Sequence, residues 1–237
     1  MIKADLLHAK PFTLSLSSGF FGFFAHAGFI KALEEKNLKP KLIVGSSAGA
    51  LTAACYASGL TANDMSKEFT QIKKTDFWDV GLGFGLVRGE KLEKLFDRFM
   101  SPDFSKLSTP LQISAFDLFA LKTKTLNSGS VAKAARASCA VPGLFHPVRI
   151  DKRTYLDGGV ADKMGLSSVD RSDFVLCHSL GSTNGFESKR VNRKNFKNLM
   201  QLELKNISRS GPDHLHVGPE IINQVHVQTK AWLESPV

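Results

Sequence analysis

Cysteine is scarce in this chain of 237 residues. Cys55, Cys139 and Cys177 are an odd number, and no two of them form a C-x-x-C pair. That argues against a disulfide framework and against a thiolate zinc site, and it fits a reducing compartment. Long apolar runs are also missing. None reaches the roughly 18–20 residues that span a bilayer, and the longest, around Phe20 to Ile30, is broken by Gly22, His26 and Gly28. Acidic residues are outnumbered, 22 against 31 basic, which leaves a net charge of +9. No internal repeat, low-complexity tract or linker divides the sequence. The expectation is one domain over residues 1–237, large enough to bury a core without cross-links.

The positive excess is uneven. Between Phe186 and Arg209, seven basic residues (Lys189, Arg190, Arg193, Lys194, Lys197, Lys205 and Arg209) stand against Glu187 and Glu203. Such a run draws anionic lipid head groups, nucleic acid or acidic partners, or is a solvated face. No named nucleic-acid module is present, so nucleic acid is not an expected partner. The expected location is cytoplasmic, with peripheral contact to an anionic membrane through this run.

What is present alternates short apolar runs with helix-like segments. "FTLSLS" (12–17), "KLIVG" (41–45), "LQISAFDL" (111–118), "TKTLNSG" (123–129) and "DFVLCHSL" (173–180) read as strands. "FFAHAGFIKALEEKN" (23–37), "SAGALTAACYAS" (47–58), a segment capped by Thr61, "VAKAARASCA" (131–140) and "PEIINQVHVQTKAWLE" (219–234) read as helices. Strands alternating with helices predict an α/β sandwich with a mostly parallel sheet.

One strand–turn–helix carries G-x-S-x-G, as Gly45-Ser46-Ser47-Ala48-Gly49. A nucleophilic serine needs a strained turn between a strand and a helix, with its Oγ clear of the sheet and small neighbours on both sides. The Ala48 amide and the helix dipole would then face a developing oxyanion. Taken alone, the pattern equally suits a helix N-cap serine. A serine nucleophile also needs a base. The histidines His214, His216 and His226 follow it in the order of an α/β-hydrolase, but the elbow comes after only one strand–helix unit, too early for that fold. A held, desolvated carboxylate can serve instead. "RTYLDGGVADK" offers Asp157, followed by Gly158 and Gly159. The third element is the turn Ser17-Ser18-Gly19-Phe20-Phe21-Gly22, whose Gly19 and Phe20 amides could aim at the same oxyanion. A dinucleotide-binding turn fits it poorly, since the G-x-G-x-x-G order and the following acid are absent.

In their order, the glycine loop with "AHAGFIKALEE", the elbow "IVGSSAGA", the segment "ARASCAVPGLFHPV" and "YLDGG" resemble the patatin-like phospholipases. "GLVRGEKLEKLF" (85–96) has the same look. The resemblance implies a three-layer fold and a Ser–Asp dyad, with Ser47 as nucleophile and Asp157 as base. It also implies oxyanion amides from Gly19, Phe20 and Phe21, and neither a catalytic histidine nor a metal or cofactor. The expected activity is that of a lipid acyl hydrolase of phospholipase A or esterase type, acting on lipid or other acyl esters. One departure stands out: Phe21 and Ser17 replace a cation and a glycine common in that loop, which leaves a hydrophobic ester substrate open. The resemblance does not extend to the last forty or so residues.

"LSLSSGFFGFFAHAGFIKAL" could also be a secretion signal cut after Ala27. Its flanking charge is weak, and its apolar run continues into "FIKALEEKN". It is read here as catalytic scaffold. Two rival functions remain at this stage. One is an acyltransferase on the same dyad, although no arginine occurs between Ser47 and Arg88 to serve as in malonyl-CoA transacylases. The other is a lipid- or membrane-binding protein with a weakened site.

Overall fold

The chain opens with helix α1 (Lys3–Ala9), then strand β1 (Thr13–Leu16), helix α2 (Phe23–Glu35) and strand β2 (Leu42–Ser46). The computed structural model describes residues 1–181, 196–204 and 206–237. β1 and β2 pair in parallel, Leu14 beside Ile43, and α2 is the crossover that parallel neighbours require. The helix stops where Asn37 adopts left-handed backbone (φ 52). There the N–H groups of Asn37 and Leu38 return to the carbonyls of Glu34 and Leu33, each at 2.9 Å.

Helices α3 (Ala48–Ala57), α4 (Ala62–Gln71) and α5 (Lys74–Phe77) follow, then strand β3 (Gly85–Val87) and α6 (Glu90–Asp97). Thr61 caps α4 reciprocally with Asp64. Strands β4 (Leu111–Asp117) and β5 (Lys122–Leu126) precede α7 (Val131–Ser138), β6 (Gly143–Phe145), β7 (Val148–Ile150) and β8 (Arg153–Asp157). The chain closes with β9 (Val175–Ser179), β10 (Leu199–Glu203) and α8 (Gly218–Glu234). The main sheet has eight strands in the order β10-β9-β1-β2-β4-β8-β7, with β5 also on β4, and β3 pairs with β6 apart from it.

From β10 to β4 the sheet is parallel, whereas β5 and β8 run antiparallel to β4. The strand expected at 123–129 is therefore the return arm of a hairpin. Its link from β4 is too short for a parallel crossover.

Neighbouring residues on each strand face opposite sides of the sheet. Leu14, Leu16, Ile43, Ile113 and Leu176 join a large core with α2, α3, α4 and α8. Val44, Val175 and Cys177 face the other way, under Leu166, Val169 and Phe196. Among the described residues this second covering is coil, tied down by buried Asp162. Its carboxylate accepts the Ser114 hydroxyl at 2.7 Å and the N–H groups of Leu166 and Ser167 at 3.0 Å. The architecture is mixed α/β, a mostly parallel sheet between unequal layers. No helix among the described residues is long and apolar enough to cross a membrane.

Candidate active site

β2 ends at Ser46 and α3 begins at Ala48, so Ser47 alone makes the turn. Its backbone sits at φ 52, ψ −123, a conformation that costs an L-residue about 1–3 kcal/mol. Crowding enforces it: a Cβ on Gly49 would stand 2.1 Å from the Leu16 carbonyl oxygen, and one on Gly45 would stand 2.8 Å from Ala50 backbone. Ser47 occupies the N-cap of α3, yet its side chain makes no capping bond. Its Oγ instead donates to Oδ2 of Asp157 at 2.7 Å.

Asp157 ends β8, opposite Ala115 of β4. The chain can press this close to β4 because Gly158 follows. A Cβ there would lie 2.1 Å from the Ser114 carbonyl oxygen. Oδ1 of Asp157 accepts the Gly159 N–H at 2.7 Å. Burial pushes the carboxyl pKa up to about 6, against the lowering pull of the bonds from Ser47 and Gly159. At neutral pH the group is mostly ionised, but basic enough to take a proton. Beside the pair lies the Cys139 thiol. Its pKa is raised well above the usual value, first by burial and then by the charge of Asp157, so it stays protonated.

The loop before α2 faces the same space. Phe21 adopts φ 53. The N–H groups of Gly19, Phe20, Phe21 and Ala48 find no acceptor among the described residues. These four residues line one cavity with Ser47 and Asp157, of about 990 Å³, with Leu51, Leu92, Phe145, Ile221 and Val225 among its apolar walls. The phenylalanines of the opening stretch divide by role. Phe24 is core, while Phe20, Phe21 and Phe23 reach the cavity. The Phe21 ring packs 5.6 Å from Phe77 and 5.9 Å from Phe23.

Residues that sequence reasoning passed over hold this arrangement. The Ser138 hydroxyl accepts the Ser47 N–H at 2.8 Å and donates to the Ser114 carbonyl at 2.6 Å. Ser138 lies within "ARASCAVPG", already singled out as a segment, and that was its only signal. Leu180 braces the glycine loop: its N–H donates to Ser17 Oγ at 2.9 Å, and its side chain fills the space a Cβ on Gly19 or Gly22 would need. Ser210 Oγ donates to the Phe21 carbonyl at 2.8 Å, and Ser18 N–H to the Lys163 carbonyl at 2.7 Å. Under the loop, fully buried His26 contacts the Ser17 carbonyl and His178, each at 2.9 Å. Burial lowers the pKa of both imidazoles, that of His26 to about 4.

Among the described residues no histidine hydrogen-bonds to Ser47. His226 pairs with Glu35, and His146 contacts the Gly85 carbonyl. Nor does any group of three His, Cys, Asp or Glu among them form a metal site. Of the basic run, Lys189, Arg190, Arg193, Lys194 and Lys205 lie outside the described residues. Lys197 is exposed, and Arg209 stands at the cavity.

The sequence model of the family described as "Patatin-like phospholipase" matches residues 14–170, a span that holds the glycine loop, Ser47 and Asp157. The chain belongs to that family. An uncharacterized NTE family protein of Mycobacterium bovis is 31% identical over 176 residues, covering 72% of this chain and 49% of that protein. The chain thus spans about half the length of this mycobacterial relative. The uncharacterized protein YqhO of Bacillus subtilis is 27% identical over 215 residues, covering 75% and 72%. Among solved structures, VipD from Legionella pneumophila superposes with a TM-score of 0.62 at 15% identity, over 94% of this chain and 67% of that one. That likeness shows a shared fold.

Proposed function

We propose that the protein hydrolyses carboxylic esters of lipids through an acyl-Ser47 intermediate, with Asp157 as the base. The observation that carries this reading is the 2.7 Å bond from Ser47 Oγ to a buried carboxylate at the wall of a largely apolar cavity. Asp157 takes the hydroxyl proton as Oγ attacks the ester carbonyl. Negative charge gathers on the carbonyl oxygen, where the uncommitted N–H groups of Gly19, Phe20, Phe21 and Ala48 are available to receive it. Asp157 then protonates the departing alcohol. In the second half-reaction it accepts a proton from the water that attacks the acyl-enzyme and returns it to the departing Ser47 Oγ, releasing the carboxylic acid.

The apolar walls suit an acyl chain, and with Phe21 at its place the glycine loop itself offers the oxyanion backbone dipoles and no cation. The test is covalent labelling by a fluorophosphonate. Wild-type protein is expected to be labelled at Ser47, Ser47→Ala to give no adduct, and Asp157→Asn to react at least about 10²-fold more slowly. An adduct on another residue, or equal labelling of Asp157→Asn, removes the dyad. No labelling at all, with lipid still bound, returns the protein to the lipid-binding reading.

A further inference from the structure

The segment "DVGLGFGLVRG", Asp79 to Gly89, plays no part in the dyad, and its pattern is unusual. Val80, Leu82, Phe84 and Leu86 occupy every second position, with Gly81, Gly83 and Gly85 between them. The four large side chains are 71%, 100%, 89% and 63% exposed. The glycines press inward. A Cβ on Gly81 would meet the Arg88 side chain at 2.2 Å, on Gly83 the His146 ring at 2.3 Å, and on Gly85 the Phe145 backbone at 2.6 Å. Glycine on the protein side lets the backbone lie flat on the body, so that all four apolar side chains point away from it.

This face is held in place. Arg88 N–H donates to the Asp79 carbonyl at 2.8 Å, and Gly81 N–H to the Leu86 carbonyl at 3.2 Å. A β-bridge joins Val80 to Val87. The Asp79 carboxylate accepts the N–H groups of Gly89, Glu90 and Lys91 at 2.7–3.0 Å, locking the hairpin to the start of α6. His146 grips the Gly85 carbonyl at 3.1 Å. The base therefore joins Leu92 and Phe145, both of which wall the cavity.

A second apolar tip rises at the same end of the sheet as the site. Ser114 of β4 pairs with Ser46, next to the elbow. β4 continues to Asp117, about 10 Å further out, before the turn carrying Phe119 and Leu121, 79% and 67% exposed. Asp117 is committed to Phe119 N–H, Ala120 N–H and Arg153. Exposed Lys122, Lys124, Arg149 and Lys152 surround this tip, against Asp151.

We propose that Val80, Leu82, Phe84 and Leu86, seconded by Phe119 and Leu121, are the surface by which the protein inserts into an anionic lipid bilayer. Three features choose this occupant. The side chains protrude singly, with no polar side chain among them to direct a protein partner. Around Phe119 and Leu121 the rim is cationic, which complements anionic head groups. The hairpin is also continuous with the cavity wall, which places the site's opening near the lipid. Only this last point rests on the function proposed above.

The test is co-sedimentation of the full chain with vesicles of phosphatidylcholine containing about 30% phosphatidylserine. A soluble short-chain ester is assayed in parallel. The double variant Leu82→Ser/Phe84→Ser is expected to lose roughly 100-fold in partitioning, with hydrolysis of the soluble ester unchanged. Phe84→Trp is expected to fold as wild type, and the emission it adds to that of Trp78 and Trp232 to shift to the blue with vesicles and to be quenched by brominated lipid. Vesicle binding requires no turnover, so failure of the dyad leaves this result standing, and the reverse holds too. Partitioning of the double variant equal to wild type, or no shift in the emission added by Phe84→Trp, overturns the proposal. A concentration-dependent dimer that the double variant abolishes, with vesicle binding intact, assigns the face to a second copy instead.

Discussion

The Ser138 hydroxyl accepts the backbone N–H of Ser47 at 2.8 Å, which ties the elbow to the end of α7. The same hydroxyl donates to the Ser114 carbonyl, so it bridges the turn and β4. Ser138→Ala leaves the Ser47 N–H without its hydroxyl partner and removes a bond to the Ser114 carbonyl, at a cost of about 1–3 kcal/mol. The expected result is a melting temperature several degrees lower and turnover reduced roughly tenfold, because the strained turn loses a support. Thermal melts and ester hydrolysis on the purified variant check it. Unchanged turnover would show that the elbow needs no such tie.

The raised pKa of Asp157, about 6, sets a pH profile. In the proposed mechanism the Ser47 proton passes to the carboxylate, not to the protonated acid. The value of kcat/KM for a soluble ester is therefore expected to fall about tenfold per pH unit below pH 6 and to level off above pH 7. A profile bending near pH 4 would mean that the carboxyl feels no desolvation.

The same shift affects stability. For an acid whose folded pKa exceeds its unfolded value, the native state binds more protons between the two values, so stability falls as pH rises from 3.8 to about 6. At pH 7 the penalty is of order 2–3 kcal/mol. Asp157→Asn keeps the shape and removes the buried charge. Its melting temperature at pH 7 is expected to exceed that of wild type by about 5 °C or more, while hydrolysis collapses. A variant no more stable than wild type contradicts this.

His26 and His178 act in the opposite direction. Both are neutral in the fold, with depressed pKa values, whereas the unfolded chain protonates its histidines near pH 6.5. Stability contributed by neutral His26 is complete above pH 6.5 and is lost as pH falls toward 4. Asp157 partly offsets this loss over the same range. Denaturant titrations between pH 7 and pH 4.5 are accordingly expected to show a steeper acid loss in Asp157→Asn than in wild type. Parallel slopes would dismiss the compensation.

Local signals made the scaffold legible. The apolar β-branched run into an alanine-rich helix suggested the elbow and the Thr61 box marked α4, whereas the carboxylate before paired glycines read locally as a turn and gained its role only from the resemblance. Each is written in a few adjacent residues. What stayed hidden depends on contacts across the chain. The return of β5 along β4 turns on a tight link rather than on any periodicity. Ser138, Leu180 and Ser210 are ordinary residues until the fold brings them, respectively, 91, 163 and 189 positions along the chain to the site. The alternation of glycine with Val80, Leu82, Phe84 and Leu86 gains a meaning only once its exposure is seen.

Leu180 and Ser210 lie beyond residue 170, where the family match stops. A fragment trimmed to that match would keep the serine and the aspartate but not the wall behind Gly19 and Gly22. The region that defines kinship is thus shorter than the region that packs around the candidate site. Expression trials, chimaeras and searches for remote cousins all need the later residues to judge whether a site is intact.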